Sequence, residues 1–210
     1  IATKEAGQLK KYIQAHPEIT DVLITGGDPL VMKTKNLRAH IEPLLELEQI
    51  RTIRIGSKAL TFWPQRVVSD DDAQDLLDLF QEVQASGKHL ALMAHYNHWQ
   101  ELETDIAREA VRRVRATGAV IRAQGPLLAH INDNADDWAR LWQTQVELGI
   151  IPYYMFVERD TGARRYFEVP LAKAWQIYRD AMKQVSGIAR TARGPSMSSH
   201  PGKVEIQGVT

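Results

Sequence analysis

The sequence predicts an α/β protein with a parallel sheet and helices packed outside it. Three observations carry that expectation. Short apolar runs of strand length alternate with longer amphipathic segments almost without interruption. The connections between them are short, which for parallel strands implies right-handed crossovers. Polar, chemistry-bearing residues gather just after the apolar runs, where parallel α/β proteins build their ligand sites. Periodicity leaves open whether the sheet stays open or closes into a barrel.

In chain order, Glu5–Ala15 reads as a helix stopped by His16-Pro17, and Asp21–Ile24 as a strand ending in Thr25-Gly26-Gly27-Asp28-Pro29-Leu30. Asn36–Leu47 is a helix, and Arg51–Ile55 a strand ending in Gly56-Ser57-Lys58. Ser69, followed by Asp70, Asp71 and Asp72, reads as an N-cap with acids in the first turn of a helix running to Ser86. Gly87 ends it, and His89–Ala94 is the third strand. Leu102, Ile106, Ala110 and Val114 mark the apolar face of the next helix, with Arg108, Arg112 and Arg115 turned outward. Ala119–Ala123, after Gly118, is the fourth strand, and Ala135–Leu148 a helix stopped by Gly149. Ile151–Val157 is the fifth strand, followed by Arg164–Val169 and then a longer helix over Leu171–Val185. The rest reads as irregular, turning extended again at Val204–Ile206. Two regions are expected: residues 1–185 as the α/β part and 186–210 as a C-terminal segment.

With 210 residues, 44% hydrophobic and 25% charged, the chain is long enough for one large core of ordinary globular composition. Lys+Arg and Asp+Glu are both 26, so charge gives no support for a nucleic-acid or membrane partner. No apolar run approaches the roughly 20 residues of a membrane span and no signal peptide is visible, so a cytoplasmic location is expected. The absence of cysteine excludes disulfides, thiolate metal sites and a cysteine nucleophile within this chain.

The strand ends hold the candidate site. The first gives Gly26, Gly27 and Asp28, a turn whose glycines let backbone groups approach a ligand and whose carboxylate accepts from an ammonium or hydroxyl. A solvated turn is the plainer alternative. The second end gives Arg54, Ser57 and Lys58; the third His95, Asn97 and His98; the fourth Gln124; the fifth Glu158, Arg159 and Asp160. His95 and His98 have the spacing of metal ligands but no third ligand nearby, so no metal site is expected. Trp138, Trp142 and Trp175 have core-like helical spacing and read as packing. Lys203, delivered by a Gly/Pro/Ser-rich loop onto a short extended segment, suits a Schiff-base lysine, an anion cradle or a plain surface lysine.

Taken in order, these features resemble the lysine 2,3-aminomutase family of radical S-adenosylmethionine (SAM) enzymes. The matching elements are Thr25-Gly26-Gly27-Asp28-Pro29-Leu30, Arg54-Ile55-Gly56-Ser57, Pro64-Gln65-Arg66, His95-Tyr96-Asn97-His98, Asn132-Asp133, Pro152-Tyr153-Tyr154, Ser186-Gly187 and Pro201-Gly202-Lys203. The resemblance implies a partial (βα) barrel, with its first strand and three-cysteine cluster loop lying upstream of the Glu5 helix and outside this sequence. In that family a reduced [4Fe-4S] cluster cleaves SAM, the deoxyadenosyl radical takes a hydrogen from an amino acid held on pyridoxal phosphate (PLP), and the amino group migrates between adjacent carbons. By resemblance, Gly26, Gly27 and Asp28 would meet the methionine end of SAM. Ser57, Gln124, His95 and His98 would line the SAM and PLP pockets, and Lys203 would carry PLP. The small-molecule substrate is an amino acid, family members often self-associate, and this chain alone is expected to be inactive.

Two departures bear on the substrate and the lysine loop. In the family register, the two acids that hold the lysine side-chain ammonium fall on Arg159 and Ser196. Arg159 suits a carboxylate, so a glutamate-like substrate is the sharper expectation, while a one-residue slip puts Glu158 or Asp160 in the acidic role. The family's glycine-rich loop before the lysine is replaced by Pro195-Ser196-Met197-Ser198-Ser199-His200. The alternatives are an aminomutase acting on a protein-borne lysine, a non-catalytic relative that binds PLP or SAM, and an ordinary (βα) barrel with a Schiff-base lysine.

Overall fold

A computed structural model describes residues 6–158, 162–200 and 202–208. Its seven-stranded sheet follows chain order from the first strand to the last, and the described residues fall into two compact units. Among them no helix is long and apolar enough to cross a membrane.

The first unit comprises the described residues up to Ala94 together with Glu109–Ile121. After helix α1 (Ala6–Ala15) come strand β1 (Asp21–Ile24), helix α2 (Thr34–Leu45) and strand β2 (Thr52–Ser57). Two one-turn helices follow, α3 (Ala59–Phe62) and α4 (Gln65–Val68), then helix α5 (Ala73–Ala85) and strand β3 (His89–His95). β1 pairs with β2 and β2 with β3, both parallel, with Ile24 opposite Ile55 and Ser57 opposite Ala94. Leu37, Ile41 and Leu44 of α2, Ile53 and Ile55 of β2, and Leu76, Phe80 and Val83 of α5 are buried. That is the one-sided apolar stripe the helical spacing predicts.

The second unit comprises His95–Arg108 and the described residues from Arg122 onward. Helix α6 (Asp105–Ala116) and strand β4 (Val120–Leu127) each have residues in both units. Helix α7 (Ala135–Glu147), strand β5 (Ile151–Val157), the one-turn helix α8 (Arg164–Phe167) and helix α9 (Leu171–Lys183) follow. Strands β6 (Arg193–Ser199) and β7 (Gly202–Glu205) complete the sheet. β4, β5 and β6 are parallel, whereas β7 returns antiparallel along β6, with Ser198 opposite Lys203. Trp138 and Trp142 are buried in α7, as their spacing predicts, and Trp175 is half-buried. Arg108, Arg112 and Arg115 are exposed on α6.

Two expectations are corrected. The acids at 70–72 do not cap a helix at Ser69: α5 begins at Ala73, Ser69 closes α4, and Asp72 makes no side-chain cap bond. Arg66 draws Asp72 away, as described below. The segment read as irregular holds β6, because local composition does not register tertiary pairing. A Cβ on Gly194 would lie 2.6 Å from the Met155 carbonyl, so only glycine lets β6 approach β5 this closely. The two one-turn helices α3 and α4 are too short to show a period.

Candidate functional site

The turn after β1 is built by glycine and locked by aspartate. Gly26 and Gly27 have φ of 103° and 59°, and a Cβ on either would meet nothing within 4 Å. Backbone conformation, and not crowding, therefore requires glycine, and the turn is open to a ligand. Asp28 holds it in place. Its Oδ1 accepts from the Leu30 N–H at 3.0 Å and the Ser57 hydroxyl at 2.7 Å. Its Oδ2 accepts from the Lys58 N–H at 2.7 Å. Ser57 is 6% exposed, and its oxygen also accepts from Ala59 N. Four predicted residues, Gly26, Gly27, Asp28 and Ser57, thus meet at the carboxyl ends of β1 and β2. A carboxylate offers about four acceptor sites, so three internal bonds leave Asp28 room for one donor from outside.

Behind the turn, Arg66 is 1% exposed and fully engaged. Its Nε donates to Leu30 O, Nη1 to Asp72, and Nη2 to Met32 O, Thr34 Oγ1 and Asp72. Asp72 also accepts from Thr34 N at 2.7 Å. Partial burial pushes the Asp72 carboxyl up, but the Thr34 bonds and Arg66 outweigh it, and the net shift is downward. The guanidinium fork satisfies three carbonyl and hydroxyl groups while pairing with one carboxylate, and so fixes residues 30–34 beneath the turn.

In the second unit the histidine-bearing segment is fixed in a similar way. Tyr96 N donates to Gln124 O at 2.9 Å, bringing the residues next to His95 and Gln124 together. A Cβ on Gly125 would lie 2.1 Å from Tyr96 O, so this approach depends on glycine. His98 Nδ1 accepts from Gln100 N, and Nε2 faces Asp137 at 3.3 Å. Both ring nitrogens of His98 therefore have partners within the chain. Burial raises the Asp137 carboxyl, but the Trp99 indole, Asn134 and His98 pull it below its ordinary range. His95 meets the Phe156 ring edge-on, with centroids 5.9 Å apart. Among the described residues no group of three His, Cys, Asp or Glu side chains could hold a metal ion.

Asn132, 1% exposed, joins two loops. Its amide donates to Asn97 O and Pro126 O, its Oδ1 accepts from Leu128 N, and its carbonyl accepts from the Trp138 indole.

Lys203 lies on β7 in a recess lined by Tyr153, Tyr154, Arg193, Ser196 and Glu205. Its Nζ sits 3.7 Å from the centroid of the Tyr154 ring. Tyr154 and Phe156, two residues apart on β5, have centroids 5.7 Å apart, so an aromatic row connects His95 to Lys203. Ser196 is 3% exposed and donates to Met155 O, while Arg193 pairs with Glu205 at 2.7 Å. Arg159 and Asp160 lie outside the described residues. Glu158 is described: burial, then the like charge of Glu168, push its carboxyl up, and its buried Oε1 has no hydrogen-bond partner among the described residues.

The sequence reading named Tyr154 only within Pro152-Tyr153-Tyr154, with no role, and missed its neighbours Phe156 and Gly125. The i, i+2 spacing of two aromatics on one strand was a usable signal for the row. An isolated glycine inside a strand pattern was one for the close approach.

No family model matches the chain. A protein of Aquifex aeolicus named "Putative L-lysine 2,3-aminomutase" is 38% identical over 95% of this chain and 52% of its own length. The L-lysine 2,3-aminomutase of Escherichia coli is 29% identical over 93% of this chain and 55% of its own length. The glutamate 2,3-aminomutase of Clostridioides difficile is 28% identical over 85% of this chain and 40% of its own. The chain thus spans about half the length of the curated relatives it matches. Among solved structures, Streptococcus suis SuiB has a TM-score of 0.60 at 12% identity, covering 87% of this chain and 41% of its own. A radical SAM methyltransferase from Sphaerobacter thermophilus has a TM-score of 0.57 at 15% identity, covering 90% of this chain and 57% of its own. At such identities the likeness establishes the fold alone.

Proposed function

We infer that this chain, a member of the lysine 2,3-aminomutase family with the α/β partial (βα) barrel of radical SAM enzymes, forms the cofactor-binding part of an amino acid 2,3-aminomutase. The observation that carries this reading is 38% identity over 200 residues, 95% of the chain. Because the chain spans about half of each such relative, the activity, the substrate and the cofactors are parts of the proposal.

SAM would be met by the open Gly26-Gly27 turn and by the acceptor site left on Asp28, with Ser57 held beside it. His95, His98 and Gln124 would line the cofactor pockets, with His98 acting chiefly as a brace, since both its nitrogens are engaged. PLP would be taken up in the Lys203 recess, which offers an amine and the Arg193 cation. When bound, SAM supplies a radical through a reduced cluster, and PLP stabilises charge and spin beside the migrating nitrogen. The chain has no cysteine and so offers no thiolate to a [4Fe-4S] cluster.

The substrate is proposed to be an amino acid with a side-chain carboxylate, read by Arg159. A second reading, a basic substrate, is favoured by one observation: the buried Glu158 oxygen has no hydrogen-bond partner among the described residues and suits a donated hydrogen bond. Both readings are tested in the parent enzyme with SAM and reductant, offering glutamate and lysine. Turnover of glutamate that falls at least tenfold in Arg159→Asp supports the first, and lysine turnover lost in Glu158→Gln supports the second. Lys203→Ala should abolish the visible absorbance of bound PLP. An unchanged spectrum sinks the role given to that lysine.

A further inference from the structure

We propose that Tyr154 is a positioning residue that latches Lys203: its ring face holds the lysine ammonium in the recess until an aldehyde draws the amine away. The proposal rests on the reading of Lys203 as the PLP lysine.

Four observations converge on it. First, Lys203 Nζ lies 3.7 Å from the Tyr154 centroid, well inside the roughly 6 Å over which an aromatic quadrupole attracts a cation. Second, Lys203 is otherwise poorly confined. It sits on the four-residue strand β7, whose burial pattern is mostly exposed, and a free lysine side chain spreads over many rotamers. Third, the carboxylate in the recess, Glu205, is already paired with Arg193 at 2.7 Å, leaving the ring face as the contact that centres the ammonium. The remaining titratable group lining the recess is the Tyr153 phenol. Fourth, Tyr154 is held by its own neighbours, with Tyr153 edge-on at 4.8 Å and Phe156 at 5.7 Å. The ring is therefore the packed member of the pair, and the lysine the exposed one.

A contact present before attachment and broken by it weakens attachment by what the contact is worth. Attachment needs Lys203 to give its proton to solvent. The neutral nitrogen then adds to the aldehyde carbon, and water leaves as the C=N bond forms. The compact ammonium that the ring favours is consumed in that sequence. An exposed cation–π contact is worth about two- to fivefold in an equilibrium constant.

The test uses the full-length protein with its lysines reductively methylated with 13C, and separately with PLP added to unmodified protein. In the wild type, ring current from Tyr154 should displace one methyl-lysine NMR signal upfield, and that signal should vanish in Lys203→Ala. Tyr154→Phe should keep the displaced signal and wild-type PLP affinity. Tyr154→Ile should lose the signal and take up PLP at Lys203 two- to fivefold more tightly. The wild-type spectrum alone decides the geometry, so the proposal stays testable should Tyr154→Ile not fold. No displaced signal, or unchanged or weaker uptake in Tyr154→Ile, overturns the latch while leaving Lys203 as the PLP lysine. Uptake in Lys203→Ala equal to the wild type overturns that underlying assignment instead.

Discussion

Asp28 shows how one side chain can join architecture to ligand binding. Its carboxylate gathers Leu30 N, Ser57 Oγ and Lys58 N, so it shapes the loop that would receive SAM before it touches any ligand. Asp28→Asn keeps the size but replaces one acceptor oxygen with a donor, which sets an N–H against an existing N–H or O–H. The expected cost is about 1–3 kcal/mol of stability together with a SAM affinity at least tenfold weaker, read by urea denaturation and calorimetric titration. Unchanged values of both would mean the loop is held by other contacts. Much of this was legible in the sequence, because Gly-Gly-Asp after an apolar run names the turn and its acceptor. The destination of the carboxylate was not. The bond to Leu30, two positions on, is a local cap, but the bonds to residues 29 and 30 positions away come from tertiary pairing of β1 with β2. The same applies to Asp72, whose run of acids imitates a helix start while its partner is Arg66.

Elements were legible where a period had room to repeat. α1, α5, α6, α7 and α9 were read to within a few residues, as were β1, β2, β3 and β5, because each carries an apolar run or stripe bounded by turn residues. β6 was not, because Gly194, Pro195 and Ser196 carry loop chemistry into a strand that tertiary contacts impose. Close approach is the common theme of β4 and β6. At Gly125 the opposing atom is the backbone oxygen of Tyr96, which no rotamer change can remove. Gly125→Ala should therefore cost at least about 3 kcal/mol, near the top of the range for overpacking. It should also displace His95 relative to Gln124. A denaturation midpoint within experimental error of the wild type would show that the strands can separate without cost.

For the molecule as a whole, acid should be the weak side. Asp133 is held below its ordinary range first by its bond to Lys173 at 2.7 Å. Asp72 and Asp137 are lowered by their own donors against the opposing effect of burial. A carboxyl depressed in the folded state adds stability that is complete above its unfolded pKa and is lost as pH falls through the folded value. Glu158, raised by burial and Glu168, acts in the opposite sense but stands alone against these three. Stability should therefore fall steeply below about pH 4, and Asp72→Asn should flatten that decline. A urea midpoint constant from pH 6 to pH 3 would contradict the assignment.

Asn132 carries a further consequence. Its amide spans the carbonyls of Asn97 and Pro126 and accepts from Leu128, so two loops distant in sequence answer to a single side chain. Anyone changing either loop inherits that linkage. Changes made near residues 97 and 128 share one support, and their energetic effects will not simply add. A library that reshapes either loop must vary the two together, with Asn132 left in place.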